Sequence, residues 1–291
     1  MRQRVARSRE LVAEGHSPSV VARVAQITRQ AIYRKPRKAP PAAARSRPPA
    51  DEVERAIIET ARENQTDGYR MVTALTRRKL GRAVNRKRVL RVMRERRLIQ
   101  RRRREPRRRR PGFFRVERPD QLWHLDMTSV WVAEHGWCYP MAAIDCLTRE
   151  IVGWQLELRC RAKESTRLVE RAIAERGIPP DSLTLGTDNG SAFTARAFKA
   201  LLSGLGVAHR RGGYRDAESQ AFIESWFGKL KERCVWLHEF ETLEEARAAI
   251  GGYVERYHAR PHSSLDYRTP EEVRRTWDDA QEPESLQREA A

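Results

Sequence analysis

Leu122-Trp123-His124-Leu125-Asp126-Met127-Thr128-Ser129-Val130 alternates in character at a period of two, the mark of a half-buried strand. Two more runs of that period follow, Trp137–Asp145 and Glu150–Leu158. His135-Gly136 and Leu147-Thr148-Arg149 are turn-sized connections, so the three runs predict an antiparallel meander. Beyond it the pattern predicts a helix over 162–176, a short apolar strand Ser182–Thr187, a helix over 194–204, a strand Val207–Arg211 and a long helix over 218–234. Three antiparallel strands followed by alternating helices and strands predict an α/β core, a mixed five-stranded sheet flanked by helices.

Upstream of the meander the chain reads as helical and strongly basic. In residues 1–35 a helix through Leu11-Val12-Ala13 stops at Gly15. Ser17-Pro18 then starts a second helix carrying Val20, Val21 and Val24, and Thr28 caps a third. Arg29, Gln30 and Arg34 on that last helix are the long polar side chains that major-groove reading needs, so the segment reads as a helix-turn-helix. Residues 36–50 hold five prolines with no periodicity and read as a linker. Residues 51–100 read as a second helical DNA-binding domain. Its last helix, capped by Asn85, turns Val89, Leu90, Val92 and Met93 inward and Arg86, Lys87, Arg88, Arg91 and Arg94 outward. In the linker 101–118, Arg101, Arg102, Arg103, Arg104, Arg107, Arg108, Arg109 and Arg110 form a polycation suited to phosphate contact.

The charge is divided along the chain. Net charge is +10 over residues 1–50, +15 over 51–118 and −6 over 119–291, for +19 in all. A basic front half joined to a mildly acidic folded half points to nucleic-acid binding first and a second activity behind it. The acidic half, with its aromatic and β-branched runs, excludes a purely histone-like or ribosomal binder. No apolar stretch approaches the roughly 18 residues of a membrane span, and the N-terminus leads into no secretory h-region. Cys138, Cys146, Cys160 and Cys234 match no zinc or redox spacing and read as reduced packing thiols of a cytoplasmic protein.

Three carboxylates stand out. Asp126 is mid-strand, Asp188 ends the fourth strand in Thr187-Asp188-Asn189-Gly190, and Glu224 lies on the long helix. Ile223, Trp226, Phe227, Leu230 and Cys234 form that helix's apolar stripe, with Glu224 on its margin, free to face the strand ends. Each has a plain reading: an edge charge, a common turn, one of several helix glutamates. Brought together, they would offer hard oxygen ligands to two divalent ions, Mg²⁺ or Mn²⁺, for phosphodiester chemistry.

The intervals, 61 residues between Asp126 and Asp188 and 35 between Asp188 and Glu224, resemble those of the DDE transposases and retroviral integrases. From about Glu117 to its end the chain is similar to insertion-sequence transposases of the OrfB type. The resemblance rests on Trp123–Thr128, Ile144-Asp145 with Ile151-Val152-Gly153-Trp154, Thr187–Gly190, Glu224-Ser225-Trp226-Phe227-Gly228-Lys229-Leu230-Lys231 and Tyr257–Leu265 with Thr269-Pro270. Gly68-Tyr69-Arg70 and Val84–Val89 extend it into the helical domain. It implies a ribonuclease-H-like catalytic core over 119–240, preceded by all-α helix-turn-helix domains and followed by a C-terminal helical extension, 241–291. It also implies that Asp126, Asp188 and Glu224 are the catalytic, metal-binding triad and that Lys231 contacts the element end. Tyr214–Gln220 departs from the family's lead-in to the glutamate and leaves Glu218 as a rival ligand, at a shorter interval of 29 residues. Arg260-Pro261-His262 reads as packing, with His262 structural.

By the same resemblance the function is metal-dependent cleavage and strand transfer of DNA, with element ends and target DNA as partners and the bacterial nucleoid as the place of work. A DNA-dependent homo-oligomer is expected, since no sustained heptad repeat is present; a partner from an upstream reading frame is the other source of assembly. The competing reading is a helix-turn-helix regulator with an inactive core.

Overall fold

The computed structural model describes residues 2–33, 51–100, 116–212 and 221–289. Arg34, Arg101–Arg104, Arg107–Arg110 and Glu218 lie outside the described residues. The chain divides into two compact units, residues 1–49 and 50–291.

Among its described residues the first unit is a trio of helices, α1 (Arg2–Ala13), α2 (Pro18–Val24) and α3 (Arg29–Tyr33). Gly15, at φ +96°, makes the left-handed turn after α1 that a side chain would strain. Val21, Ala22 and Ile32 close a small core, and Arg9 Nε donates to the Ile32 carbonyl at 2.7 Å to tie α1 to α3. Ser17 occupies the N-cap of α2 but makes no side-chain capping bond; Pro18 alone pre-sets the first turn. Val20 and Val24 face solvent, so Val21 is the buried member of the predicted valine set.

The second unit opens with α4 (Glu52–Glu63), α5 (Tyr69–Leu80) and α6 (Arg86–Glu95) around Ile57, Ala61, Val72, Val89, Val92 and Met93. Asp51 and Asn85 cap α4 and α6 through their side chains, and Gly81 ends α5 at φ +61°.

Six strands follow among the described residues: β1 (Leu122–Met127), β2 (Val130–Val132), β3 (Gly136–Asp145), β4 (Ile151–Glu157), β5 (Thr184–Thr187) and β6 (Ala208–Arg211). The main sheet runs β4-β3-β1-β5-β6, with antiparallel pairs on one side of β1 and parallel pairs on the other. Short β2 is a continuation of β1 rather than a separate strand. Met127 pairs with Met141 and Val130 with Cys138, so both stretches meet β3 in one register. The ladder breaks between them opposite Pro140, which has no N–H to give, and the Thr128 amide still donates to the Pro140 carbonyl at 3.0 Å.

Alternation along β1 and β3 builds two cores. Trp123, Leu125, Met141 and Ala143 face α7 (Ala162–Arg176) and α9 (Arg196–Gly204), the latter preceded by one-turn α8 (Ser191–Thr194). Ala142 and Ile144 face α10 (Ala221–Arg233) and α11 (Leu243–His258). Six side chains of α11, Leu243 to Tyr257, are buried in that second core together with Ile223, Trp226, Phe227 and Leu230 of α10. The hydrophobic unit therefore continues past residue 240, because a sheet face can exclude water only when covered along its length. α12 (Pro270–Glu289) closes the chain, and its Arg274 reaches the buried Asp120. No described helix is long and apolar enough to cross a membrane.

The helical domain is held to the core by charge. Buried Asp67, before α5, pairs with Arg233 on α10 at 2.7 Å and with Arg260 after α11. Arg260 also donates to Asn64 Oδ1, and Arg78 pairs with Glu272 of α12 at 2.6 Å.

Candidate active site

Asp126 is set by the sheet. It alternates with Leu125, which faces α7, so its side chain lies on the α10 face beside its cross-strand partner Ala142. Asp188 follows from register. Paired residues of parallel strands β1 and β5 differ in number by a constant 62, His124 with Gly186. Two residues further along, that offset sets Asp126 beside Asp188, just past the carboxyl end of β5. Strands in this relation lie about 4.8 Å apart and point paired side chains to one face.

The turn after β5 fixes Asp188. Its Oδ1 accepts from the Gly190 amide at 2.8 Å, and a Cβ on Gly190 would stand 2.9 Å from that oxygen, so any larger residue there would have to displace the carboxylate. Asn189 Nδ2 donates to the Gly212 carbonyl at the end of β6, and Thr187 Oγ1 lies 2.8 Å from His209 Nε2. Each residue of the Thr187–Gly190 motif thus has a physical task. Asp188 itself is exposed.

Glu224 stands in the first turn of α10, on its exposed margin beside buried Ile223. The three carboxylates and a lysine meet electrostatically at Asp126. Burial first, then the charges of Asp188 and Glu224, push the Asp126 carboxyl up to about 6, against the Met127 amide and the Lys231 ammonium. Among the described residues, no group of three ligating side chains is close enough to form a ready metal cage. The donor chemistry still fits a hard divalent cation: three carboxylates, no thiolate or imidazole, at a point where like charges gather.

Beneath Asp126 lies a layer that the sequence pattern alone did not single out. His124, two residues earlier on the same strand face, is fully buried and stacks on Phe222 of α10, ring centroids 6.2 Å apart. The Arg149 guanidinium lies 3.3 Å from the centre of the same Phe222 ring. Burial first, then Arg210 and Arg149, hold the His124 imidazole down at about 4, so it is neutral at ordinary pH. Gly186 makes space for it; a Cβ there would approach His124 Cδ2 to 2.6 Å. The period-two pattern contained the signal, since a polar residue at 124 had to share Asp126's face.

The basic residues expected to meet DNA are distributed differently. Arg29 and Gln30 are exposed in the first turn of α3, and Arg86 and Lys87 are exposed at the start of α6. Arg88 is engaged in an ion pair with the α4 N-cap, Asp51, so its outward helical position does not leave it free. Lys231 is half-buried two turns along α10 from Glu224. His262 is buried under the Tyr257 ring, 4.5 Å between centroids, and far from the carboxylates in role: it organises the turn after α11.

Family models described as an integrase core domain match residues 116–216 and 205–270, and one described as an HTH-like domain matches 48–106. The 31.7 kDa protein of insertion element IS407 from Burkholderia multivorans is 32% identical over 225 residues, covering 74% of this chain and 78% of that protein. The transposase of insertion sequence element IS904 from Lactococcus lactis subsp. lactis is 30% identical, covering 55% and 63%. Among solved structures, the HTLV-2 integrase catalytic core in complex with magnesium aligns with a TM-score of 0.41 at 16% identity, covering 53% of this chain and 96% of that one. The catalytic core of BIV integrase aligns at 0.41 and 21%, covering 57% and 99%.

Proposed function

The chain belongs to the insertion-sequence transposases built on an integrase core, and from that premise we propose that Asp126, Asp188 and Glu224 are its DDE triad. What supports this is the β1–β5 register that sets Asp126 beside Asp188, together with a carboxyl at Asp126 that feels the charges of Asp188, Glu224 and Lys231. Excess negative charge in a partly desolvated position is relieved by a bound cation, and oxygen ligands select Mg²⁺ or Mn²⁺. Two such ions would supply an activated water or 3′-OH and stabilise the leaving oxygen of the phosphodiester.

The chain's own residues do the positioning. Asp126 is immobilised within a paired strand and Asp188 by its glycine turn, which leaves Glu224, at a helix start, to complete the set. Lys231, one heptad along the same helix and acting on Asp126 through its charge, is proposed to bind a phosphate flanking the scissile bond. Arg29 and Gln30, with Arg86 and Lys87, are proposed to bind the element ends, and the arginine runs at 101–104 and 107–110 to add sequence-independent affinity. The helical segments 1–35 and 51–100 thus hold DNA and the sheet cuts it. The experiment is a strand-transfer assay with Mg²⁺ on end-bearing DNA and a plasmid target. Transfer products that vanish on removal of the metal support the reading; tight binding without cleavage would favour a regulator with an inert core.

A further inference from the structure

Three of the seven tryptophans are left in water, and they are left together. Trp131 on β2 is 56% exposed, Trp137 on β3 57% and Trp236, in the short helical turn after α10, 72%. Trp131 and Trp137 are cross-strand partners with ring centroids 5.4 Å apart, set edge to face. The Ala133 and Glu134 amides donate to the Phe240 and Glu241 carbonyls, which fastens the segment after α10 against this hairpin and brings Trp236 to the same groove, about 660 Å³ in volume. Indoles are costly to expose, so a cluster of three marks a surface that something covers.

The groove adjoins the candidate catalytic residues. Its wall includes Ser129, three residues beyond Asp126, and Lys231, whose charge acts on Asp126 itself. Glu239 and Glu241, in the segment after the short helical turn, line it as well. Phosphate would be repelled there and held near Lys231, whereas nucleobases present both a stacking face for indole and amino groups for the glutamates. We propose that this groove is a stacking platform for unpaired nucleobases of the DNA strand being processed, with the backbone at Lys231 and the bases on Trp131, Trp137 and Trp236. The inference rests on the transposase reading for its substrate class, and it adds a site for bases that the triad does not provide. A separate wall of rings explains how a strand can be unstacked and steadied next to three carboxylates that repel it. Aromatic stacking is tolerant of sequence and adds about 1–3 kcal/mol per base, about five- to a hundredfold in affinity.

The test uses the full chain without divalent metal and a duplex bearing a short single-stranded extension of 5-iododeoxyuridine. Irradiation should crosslink the extension to peptides containing Trp131, Trp137 or Trp236, and a blunt duplex should not label them. The double variant Trp131→Ala with Trp236→Ala should bind the extended probe about tenfold or more weakly and the blunt duplex unchanged, and the Phe counterparts should restore binding. Crosslinks confined to other residues, or equal losses on both probes, overturn the proposal. So does a DNA-free dimer of the wild type that the Ala variant dissolves, since the rings would then be covered by a second copy of the chain. None of these readouts needs strand cleavage, so a protein that stacks the extension yet never transfers strands retains the platform and loses the transposase mechanism.

Discussion

Asp126, Asp188 and Glu224 are held by three unlike devices, and substitution should separate their shared chemistry from the fold. Ala at any one of them should abolish cleavage and strand transfer and leave affinity for end-bearing DNA nearly intact, because the front half, not the acidic core, carries the positive charge proposed to hold DNA. A gel shift alongside a cleavage assay checks this; retained nicking by Glu224→Ala with a dead Glu218→Ala would transfer the third role to Glu218. Gly186 is the sharpest packing test nearby. Gly186→Ala places a methyl 2.6 Å from a buried, ring-stacked His124, an overpacking that should cost about 1–3 kcal/mol in urea unfolding. His262 gives a pH signature. Burial first, then the Lys229, Arg260 and Arg233 charges, hold its pKa at about 4 against the raising Tyr257 carbonyl, whereas the unfolded value is near 6.5. The unfolded chain therefore binds a proton that the folded one refuses. Stability is complete above pH 6.5 and falls between there and about 4, by on the order of 3 kcal/mol for this one group. Thermal melts across that range should lose about half of this histidine slope in His262→Asn, the rest coming from His124, which burial holds down to about the same value.

At the scale of elements, the hairpins, the βα alternation and the apolar stripe of α10 were legible in the sequence because each follows from a local period. The interval of 61 residues between the two aspartates has a simple structural equivalent, the constant offset of the β1–β5 register, but only pairing reveals it. Three features were not legible. Pro140 interrupts the β1–β2 stretch from across the sheet, an effect no period in residues 122–130 records. Arg88 looks like a DNA-facing arginine on its helix, yet Asp51, 37 residues away, takes it up. Most of all, Asp67 gives no sign of its partners, which lie 166 and 193 residues further on. Those partners explain the motif around Arg260: it packs the helical domain, not only the C-terminal segment, onto the core. Because Arg233 shares α10 with Glu224 and Lys231, the domain proposed to hold the element end is coupled to the helix proposed to meet the scissile phosphate. Asp67→Ala strands two part-buried guanidinium groups, a change that costs about 3–5 kcal/mol when a buried pair loses one member. The expected outcome is a lowered unfolding midpoint, with strand transfer falling more than DNA binding. An unchanged midpoint would show that the three charges do not join the two parts.

At the scale of the whole molecule, charge and assembly pull against one another. Transposition joins two ends, so the active species should hold at least two copies of the chain, and residues 1–118 carry a net +25. Like charge of that density keeps free copies apart until phosphate neutralises it. No sustained heptad repeat offers a zipper to overcome the repulsion. Duplex DNA supplies what is missing: two ends bound by basic helices bring two cores together and cancel the charge that separates them. Assembly should therefore appear only with DNA and weaken as salt displaces the protein from phosphate. If about six phosphates are neutralised per chain, the logarithm of affinity should fall with the logarithm of salt at a slope of about −5. Light scattering of the full chain at moderate salt, with and without end-bearing duplex, reads the outcome directly. A monomer alone and a dimer or larger species with DNA is expected. A stable dimer in the absence of DNA would mean that a protein surface, or a partner from an upstream frame when one is co-expressed, provides the contact that phosphate is here assigned.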